Sequence, residues 1–154
     1  MDVFIDSSVL VRLKDPDLVL RRLAEEAIER LDANGFRLLL SAQVLMEYWT
    51  VATRPPTARG GLGLTFEEAT LDVQAYRNWF GMVQEDERLF SIWWRVVQDH
   101  RVLGRQVWDA RIAAIMRLHG VLHLLTFNAQ DFARFDFIRA WLPQEVDAMF
   151  RAEG

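Results

Sequence analysis

The sequence predicts an α/β fold with a mostly parallel central sheet of four to five strands. Short apolar runs such as Val3–Ile5 and Phe36–Leu40 are typical of buried strands. Longer segments with apolar residues at helical spacing, such as Asp17–Leu31, lie between these runs. Strands that alternate with helices form parallel sheets whose faces are covered by the helices.

The individual elements follow from the same periodicities and from capping signals. Ser41 is a predicted N-cap, and Thr65 with Glu68 forms a predicted capping box. The predicted strands are Val3–Ile5, Phe36–Leu40, Glu87–Phe90, Val121–Thr126 and Phe137–Ile138. The predicted helices are Val9–Leu13, Asp17–Leu31, Ala42–Thr53, Thr65–Phe80, Ile92–Val102, Val107–Leu118 and a last one opened by Pro143.

Length and composition indicate one globular domain over residues 1–154, with 51% hydrophobic and 26% charged residues. The chain has no cysteine, which excludes disulfides, thiolate metal sites and a cysteine nucleophile. A net charge of −4 excludes a strongly basic nucleic-acid binder, although a local basic rim remains compatible with it. Asp2 argues against a signal peptide, and no apolar run reaches the roughly 18 residues of a membrane span. We therefore expect a cytoplasmic protein without membrane contact.

Four acidic residues occupy positions that the predicted topology brings to one edge of the sheet. Asp6 follows the first strand, and Glu47 lies in the helix after the second. Asp109 is in the first turn of its helix, and Asp131 follows the Val121–Thr126 strand. Ligands of open α/β sheets collect at the carboxyl ends of the strands. This edge is therefore the candidate site.

Each of these acids also has a purely structural interpretation. Asp6 and Asp131 are suited to capping or turn roles, and Ser8 to a turn. Asp109 in a first helical turn is what the helix dipole favours. Glu47, between apolar neighbours, is either partly buried or on the surface. Clustered carboxylates repel one another, so a shared pocket favours a hard divalent cation, and this composition allows Mg²⁺ or Mn²⁺.

Four segments in order resemble the motifs of PIN-domain nucleases. They are Val3–Leu10, the Ser41-x-x-Val44-x-x-Glu47 pattern, Gly104–Ala114 and Leu125–Phe132. The resemblance covers nearly the whole chain, and compact chains of this kind are most similar to VapC-type toxins of bacterial toxin–antitoxin pairs. It implies a three-layer α/β/α PIN-like domain and a metal-dependent endoribonuclease.

The resemblance also implies roles for particular residues. Asp6, Glu47 and Asp109 would be acidic metal ligands, with the Ser8 hydroxyl near the metal. The fourth acidic position falls on either Asn128 or Asp131, and we expect Asp131 to contribute its charge to catalysis.

The same resemblance implies a homodimer and a cognate antitoxin held in an apolar groove. The candidate groove residues, which are core residues in the alternative interpretation, are Trp49, Trp79, Phe80, Trp93 and Trp94. Candidate RNA contacts, chosen by proximity in sequence, are Arg12, Lys14, Arg54, Arg105, Arg111 and Arg134. Two other functions stay open: a non-catalytic PIN-like binding module, and a ribonuclease of RNA processing that has no antitoxin.

Overall fold

A parallel sheet of five strands lies at the centre of the computed structural model, which describes all 154 residues. In chain order the strands are β1 (Asp2–Ile5), β2 (Arg37–Leu40), β3 (Gly81–Met82), β4 (His123–Leu125) and β5 (Arg139–Trp141). Their spatial order is β3-β2-β1-β4-β5, and every neighbouring pair is parallel. The predicted α/β class is confirmed, and all five carboxyl ends lie at one edge.

Seven helices flank this sheet in a three-layer arrangement. None of them combines the length and the apolarity needed to cross a membrane. Their bounds are α1 (Ser7–Arg12), α2 (Leu18–Ala33), α3 (Ala42–Thr53), α4 (Phe66–Trp79), α5 (Leu89–His100), α6 (Val107–His119) and α7 (Val146–Glu153).

Local capping explains several of these boundaries. The Asp17 carboxylate accepts hydrogen bonds from the first turn of α2, and Thr65 with Glu68 forms the predicted capping box of α4. Gly120 ends α6 with a φ of 67°, a conformation that glycine adopts without strain. Ser41 is the N-cap residue of α3, as predicted, but its buried hydroxyl makes no hydrogen bond to the first turn of the helix.

Two predicted strands are wrong. Residues 87–90 do not form one, because Leu89 already begins α5. The third strand is instead Gly81–Met82, directly after α4, where a Cβ on Gly81 would come within 2.8 Å of the Leu39 side chain. The last strand is Arg139–Trp141 rather than 137–138, because Arg139 and Trp141 are the residues that pair with β4.

Tight core packing fixes the carboxyl edge of the sheet, where the candidate site lies. Val3, Phe4 and Ile5 of β1 have no exposed surface, since β1 is the middle strand. Helix α6 is buried along most of its length, with the small residues Ala110, Ala113 and Ala114 fully inaccessible. Such close packing holds the first turn of α6, which carries Asp109, in a defined place.

One buried histidine belongs to the core and not to the site. The indole N–H of Trp141 donates to His123 Nδ1 at 3.0 Å, and His123 Nε2 lies 2.9 Å from Glu153 Oε1. Both ring nitrogens are therefore engaged: Nδ1 accepts from β5 within the sheet, and Nε2 ties the end of α7 to the sheet. Burial lowers the pKa of His123, which keeps the ring neutral at physiological pH.

Candidate active site

A cavity of about 670 Å³ opens at the carboxyl edge of the sheet. Three of the predicted acids, Glu47, Asp109 and Asp131, line it. They come from α3, from the first turn of α6 and from the short 3-10 turn after β4. The other lining residues are Ser7, Gln43, Met46, Thr50, Val51, Arg54, Arg105, Gln106 and Trp108.

Asp6 lies behind the wall of this cavity and is only 5% exposed. Its backbone N–H donates to the carbonyl of Leu125 at 3.0 Å, which extends the pairing of β1 with β4. Its Oδ2 accepts hydrogen bonds from the hydroxyls of Ser8 and Thr126, both at 2.7 Å. Burial raises the pKa of Asp6, and the two hydroxyl donors oppose this shift. Asp6 stands at the N-cap position of α1, as the structural interpretation predicts, but its carboxylate is held by the two hydroxyls and not by a capping hydrogen bond.

Glu47 is held at both carboxylate oxygens. The Ser7 hydroxyl donates to Oε2 at 2.8 Å, and the Gln43 amide donates to Oε1 at 2.6 Å. Burial raises the pKa of Glu47, and the negative charge of Asp6 raises it further. The residue is half-buried and oriented, so the interpretation of Glu47 as a solvated surface residue is wrong.

Gln43 connects the acidic cavity to the neighbouring helix. Its buried amide nitrogen also donates to the backbone carbonyl of Trp108 at 2.9 Å. Its amide oxygen accepts from the Arg111 guanidinium at 2.8 Å, and Arg111 in turn pairs with Glu85 at 2.7 Å. One side chain thus fixes the position of Glu47 relative to the first turn of α6.

Asp109 is electrostatically the most perturbed acid of the cavity. Burial raises its pKa from the ordinary 3.8 to about 7, and the charges of Asp6, Asp131 and Glu47 all act in the same direction. The positive charge of Arg134 opposes them weakly. At neutral pH the carboxyl group of Asp109 is therefore divided between its protonated and ionised forms, so a nearby cation would be strongly favoured.

The two candidates for the fourth position are placed differently. Asp131 lines the cavity and is close enough to raise the pKa of Asp109. Asn128 contacts its surroundings through its backbone: its N–H donates to the Thr126 hydroxyl at 3.0 Å, and its carbonyl accepts from Asp131 N–H at 2.9 Å. The Asn128 side chain is exposed and does not line the cavity.

The carboxylates of this site are the type of ligand that a hard divalent cation prefers. No three acidic or histidine side chains are close enough together to form a complete metal-binding cluster. The carboxylates supply only oxygen ligands, which Mg²⁺ and Mn²⁺ prefer. Magnesium keeps several waters and needs only one or two protein carboxylates. Burial first, and then the charges of neighbouring acids, raise the pKa of Asp109, and a bound cation would offset both effects.

The six basic candidates differ in how free they are. Arg12 pairs with Asp15 at 2.5 Å, Lys14 with Asp72 at 3.3 Å, and Arg111 with Glu85. Arg134 donates to the Gln106 side chain at 2.5 Å. Arg54 and Arg105 line the cavity and form no ion pair. These two are the basic side chains best placed to meet a phosphate.

The five aromatic candidates do not form one groove. Phe80 is 7% exposed and belongs to the core, so it is wrong as a groove residue. Trp79 is 73% exposed and packs on Tyr76, whereas Trp49 lines an apolar cavity of about 420 Å³. Trp93 lines a different cavity, and Trp94 stacks with Phe90 beside it. The structure thus separates the predicted set: Trp49 and Trp93 line different cavities, Trp94 lies beside the second, and Trp79 lines neither.

Removal of the Gln43 amide is expected to destabilise the protein. Gln43→Leu removes the donor to the Trp108 carbonyl and to Glu47 Oε1, at a cost of about 2–3 kcal/mol. Urea unfolding measures this loss. The matched control is Gln98→Leu, an exposed glutamine on α5, for which we expect a change within about 0.5 kcal/mol. Equal effects of the two substitutions would show that the network contributes nothing.

Comparison with known proteins identifies the family. The family model of the PIN domain matches residues 3–138. The chain belongs to the PIN domain family. Within this family, the chain is 30% identical to ribonuclease VapC24 of Mycobacterium tuberculosis over 105 residues. The matched region covers 68% of this chain and 71% of the relative.

Solved structures of similar PIN domains share the fold. The VapBC-1 structure from nontypeable Haemophilus influenzae matches with a TM-score of 0.68 and 14% identity, covering 94% of this chain and 99% of that one. VapBC2 from Rickettsia felis, bound to a promoter DNA fragment, matches with a TM-score of 0.67 and 14% identity, covering 92% of this chain and 98% of that one. VapC20 of M. tuberculosis, described as a sarcin-ricin loop cleaving toxin, matches with a TM-score of 0.61 and 20% identity, covering 86% of this chain and 95% of that one.

Three residues of this PIN domain site were missed by sequence reasoning, namely Ser7, Gln43 and Thr126. Gln43 lies one helical turn before Glu47, a spacing at which two side chains meet. Thr126 ends the predicted strand beside the one that leads to Asp6. Both positions carried a usable signal, whereas the contact between Ser7 and Glu47 depends on how α1 packs against α3.

Proposed function

We propose that this PIN domain is a Mg²⁺- or Mn²⁺-dependent endoribonuclease and the toxin of a toxin–antitoxin pair. The observation that carries the proposal is the convergence of acids on one cavity, with Glu47, Asp109 and Asp131 on its wall and Asp6 directly behind. In this proposal Asp6, Glu47 and Asp109 hold the metal, and Asp131 adds charge at the mouth. The protein acts in the cytoplasm as a single domain and a homodimer.

The chain orients its acids before any substrate arrives. Ser8 and Thr126 hold Asp6, while Ser7 and Gln43 hold Glu47, so neither carboxylate has to reorganise on binding. In this proposal Asp6, Glu47 and Asp109 would hold a Mg²⁺ or Mn²⁺ ion, which would activate a water for hydrolysis of a phosphodiester and would neutralise the charge that develops. The products would carry 3′-hydroxyl and 5′-phosphate ends.

The contacts with RNA are local because the overall charge does not attract it. The net charge is −4, and without the four site acids the remaining acidic and basic residues are equal in number. Arg54 and Arg105 at the cavity therefore provide the phosphate contacts in this proposal.

The relatives support both parts of the proposal. VapC24, the relative at 30% identity, is named a ribonuclease, and VapC20 is described as a toxin that cleaves the sarcin-ricin loop. The neighbours from H. influenzae and R. felis are VapBC structures, and one from Klebsiella pneumoniae is described as a toxin–antitoxin complex. By this similarity we propose a cognate antitoxin as the protein partner of the present chain.

The test is cleavage of end-labelled RNA with Mg²⁺ or Mn²⁺, compared with EDTA. We expect cleavage only with the metal, with loss of cleavage in Asp6→Asn although its circular dichroism is unchanged. Cleavage that persists in EDTA, or at the parental rate in Asp6→Asn, would contradict the proposed site. An inactive wild type that binds a protein partner would instead favour the non-catalytic binding module.

A further inference from the structure

A second cavity lies between α5 and α6, beside the acidic one. Its volume is about 300 Å³, and its lining consists of Leu89, Phe90, Trp93, Trp108 and Arg111, which we call the aromatic cleft. Phe90 is 68% exposed and Trp108 is 59% exposed. Large aromatic surfaces left in water at the mouth of a cavity are typical of binding sites.

The aromatic cleft adjoins the acidic cavity, and one residue, Trp108, belongs to the lining of both. Trp108 lines both of them and directly precedes Asp109 in the chain. Its carbonyl accepts the Gln43 amide at 2.9 Å, and the same amide nitrogen donates to Glu47 at 2.6 Å. The position of the Trp108 backbone is therefore tied to that of the site carboxylates.

The walls of the cleft offer ring faces rather than polar groups. The indole N–H of Trp93 donates to the carbonyl of Val107 at 2.9 Å, which leaves the ring fixed with its polar atom satisfied. Phe90 packs on Trp93 at 5.7 Å between ring centroids. The guanidinium of Arg111 is already bound to Gln43 and Glu85, so its charge is paired. Flat, apolar walls of this kind suit a planar apolar ligand better than a free anion.

A nucleotide of single-stranded RNA has the chemistry that both cavities require. Its phosphate suits an acidic cavity that holds a metal and is lined by Arg54 and Arg105. The base attached to the same nucleotide offers a flat π face to the adjoining aromatic cleft. Unpaired bases stack on aromatic side chains, whereas bases inside a duplex are not accessible to them. The shared Trp108 therefore favours RNA over a protein segment as the occupant.

We propose that the aromatic cleft stacks one unpaired base of the RNA, next to the phosphate that the acidic cavity holds. This inference rests on the proposed function, to which it adds a base-binding subsite in the aromatic cleft. Trp108 provides the stacking face nearest to the acids, with Trp93 and Phe90 behind it.

The test is binding of a 12-nucleotide oligoadenylate with one 2-aminopurine, with Mg²⁺, in the Asp109→Asn background. We expect quenching of 2-aminopurine on binding, and an affinity about 5- to 150-fold lower after Trp108→Leu, from roughly 1–3 kcal/mol per stacked base. Trp108→Phe should restore most of the affinity. Phe66→Leu, an exposed aromatic on α4 outside both cavities, is the matched control and should bind as its parent does.

An oligomer with abasic sites at all positions separates stacking from a structural effect. Trp108→Leu should leave the affinity of the oligomer with abasic sites at all positions unchanged. An equal loss with the abasic and the complete oligomer would overturn the inference, as would an unchanged affinity for oligoadenylate. A variant that changes self-association in sedimentation but not RNA affinity would identify the cleft as a protein interface instead. Metal-dependent cleavage by the wild type, assayed in parallel, shows whether the proposed function stands when the cleft inference fails.

Discussion

Asp109→Asn is expected to abolish RNA cleavage while the fold is retained. The substitution keeps the size of the side chain but removes the charge at the centre of the acidic cavity. Substitution of a residue that merely supports a metal ligand costs about 10- to 100-fold in activity, so the loss of a ligand should cost at least about 100-fold. The initial rate of RNA cleavage at saturating Mn²⁺ measures the effect. Asp99→Asn, an exposed acid on α5, is the control and should cut at the parental rate.

The same substitution should stabilise the metal-free protein at high pH. The pKa of Asp109 is raised to about 7 by burial and by its acidic neighbours. The folded state thus holds this proton more tightly than the unfolded state, so stability falls as pH rises from about 4 to 7. Asp109→Asn removes this cost, and we expect a gain of about 1–2 kcal/mol at pH 8 after allowance for solvent screening.

Urea unfolding in EDTA at pH 5 and pH 8 tests whether Asp109→Asn raises or lowers the free energy of unfolding. The advantage of Asp109→Asn over the wild type should be larger at pH 8 than at pH 5, where Asp109 is mostly protonated in the folded protein. A variant that is less stable than the wild type at pH 8 would show that Asp109 is paired favourably without a metal.

Binding of Mn²⁺ is expected to stabilise the wild-type protein strongly. A ligand at about 100 times its Kd adds about 2.7 kcal/mol to the free energy of unfolding, or roughly 5–10 °C in Tm for a chain of this size. The effect should be smaller at pH 5.5 than at pH 8, because protons compete with the metal for Asp109. EDTA should reverse it, and thermal unfolding monitored by circular dichroism records it.

Asp6→Asn is the comparison that locates this stabilisation. The variant keeps hydrogen-bonding capacity toward Ser8 and Thr126, but it loses the buried charge that would face the cation. Its Tm should not respond to Mn²⁺. A shift as large as that of the wild type would place the metal elsewhere on the molecule.

The topology and the acids were predictable because they follow from strong local signals. The apolar run of β1 and the helical period of α3 and α6 determine the strand-helix order, and parallel strands bring their carboxyl ends to one edge. Asp6, Glu47 and Asp109 follow from that placement. The strand Gly81–Met82 was not predictable, because a two-residue element has no periodicity and depends on pairing with β2.

The surfaces were less predictable than the acids because exposure is decided by tertiary packing. Trp79 and Phe80 are adjacent in sequence, but the first is 73% exposed and the second 7% exposed at the end of α4. Trp108 was not among the sequence candidates. No local sequence pattern distinguishes an aromatic residue that lines two cavities from one that is buried in the core. Which of Asn128 and Asp131 lines the cavity likewise depends on the path of the 3-10 turn, which places Asp131 in the cavity wall.

Isothermal titration calorimetry with Mn²⁺, on the wild type and on the double variant Asp6→Asn with Asp109→Asn, tests the proposed metal site most directly. We predict saturable binding by the wild type and none by the double variant, with both proteins folded by circular dichroism. No binding by the folded wild type at millimolar Mn²⁺, or equal binding by both proteins, would contradict a metal site built from these acids.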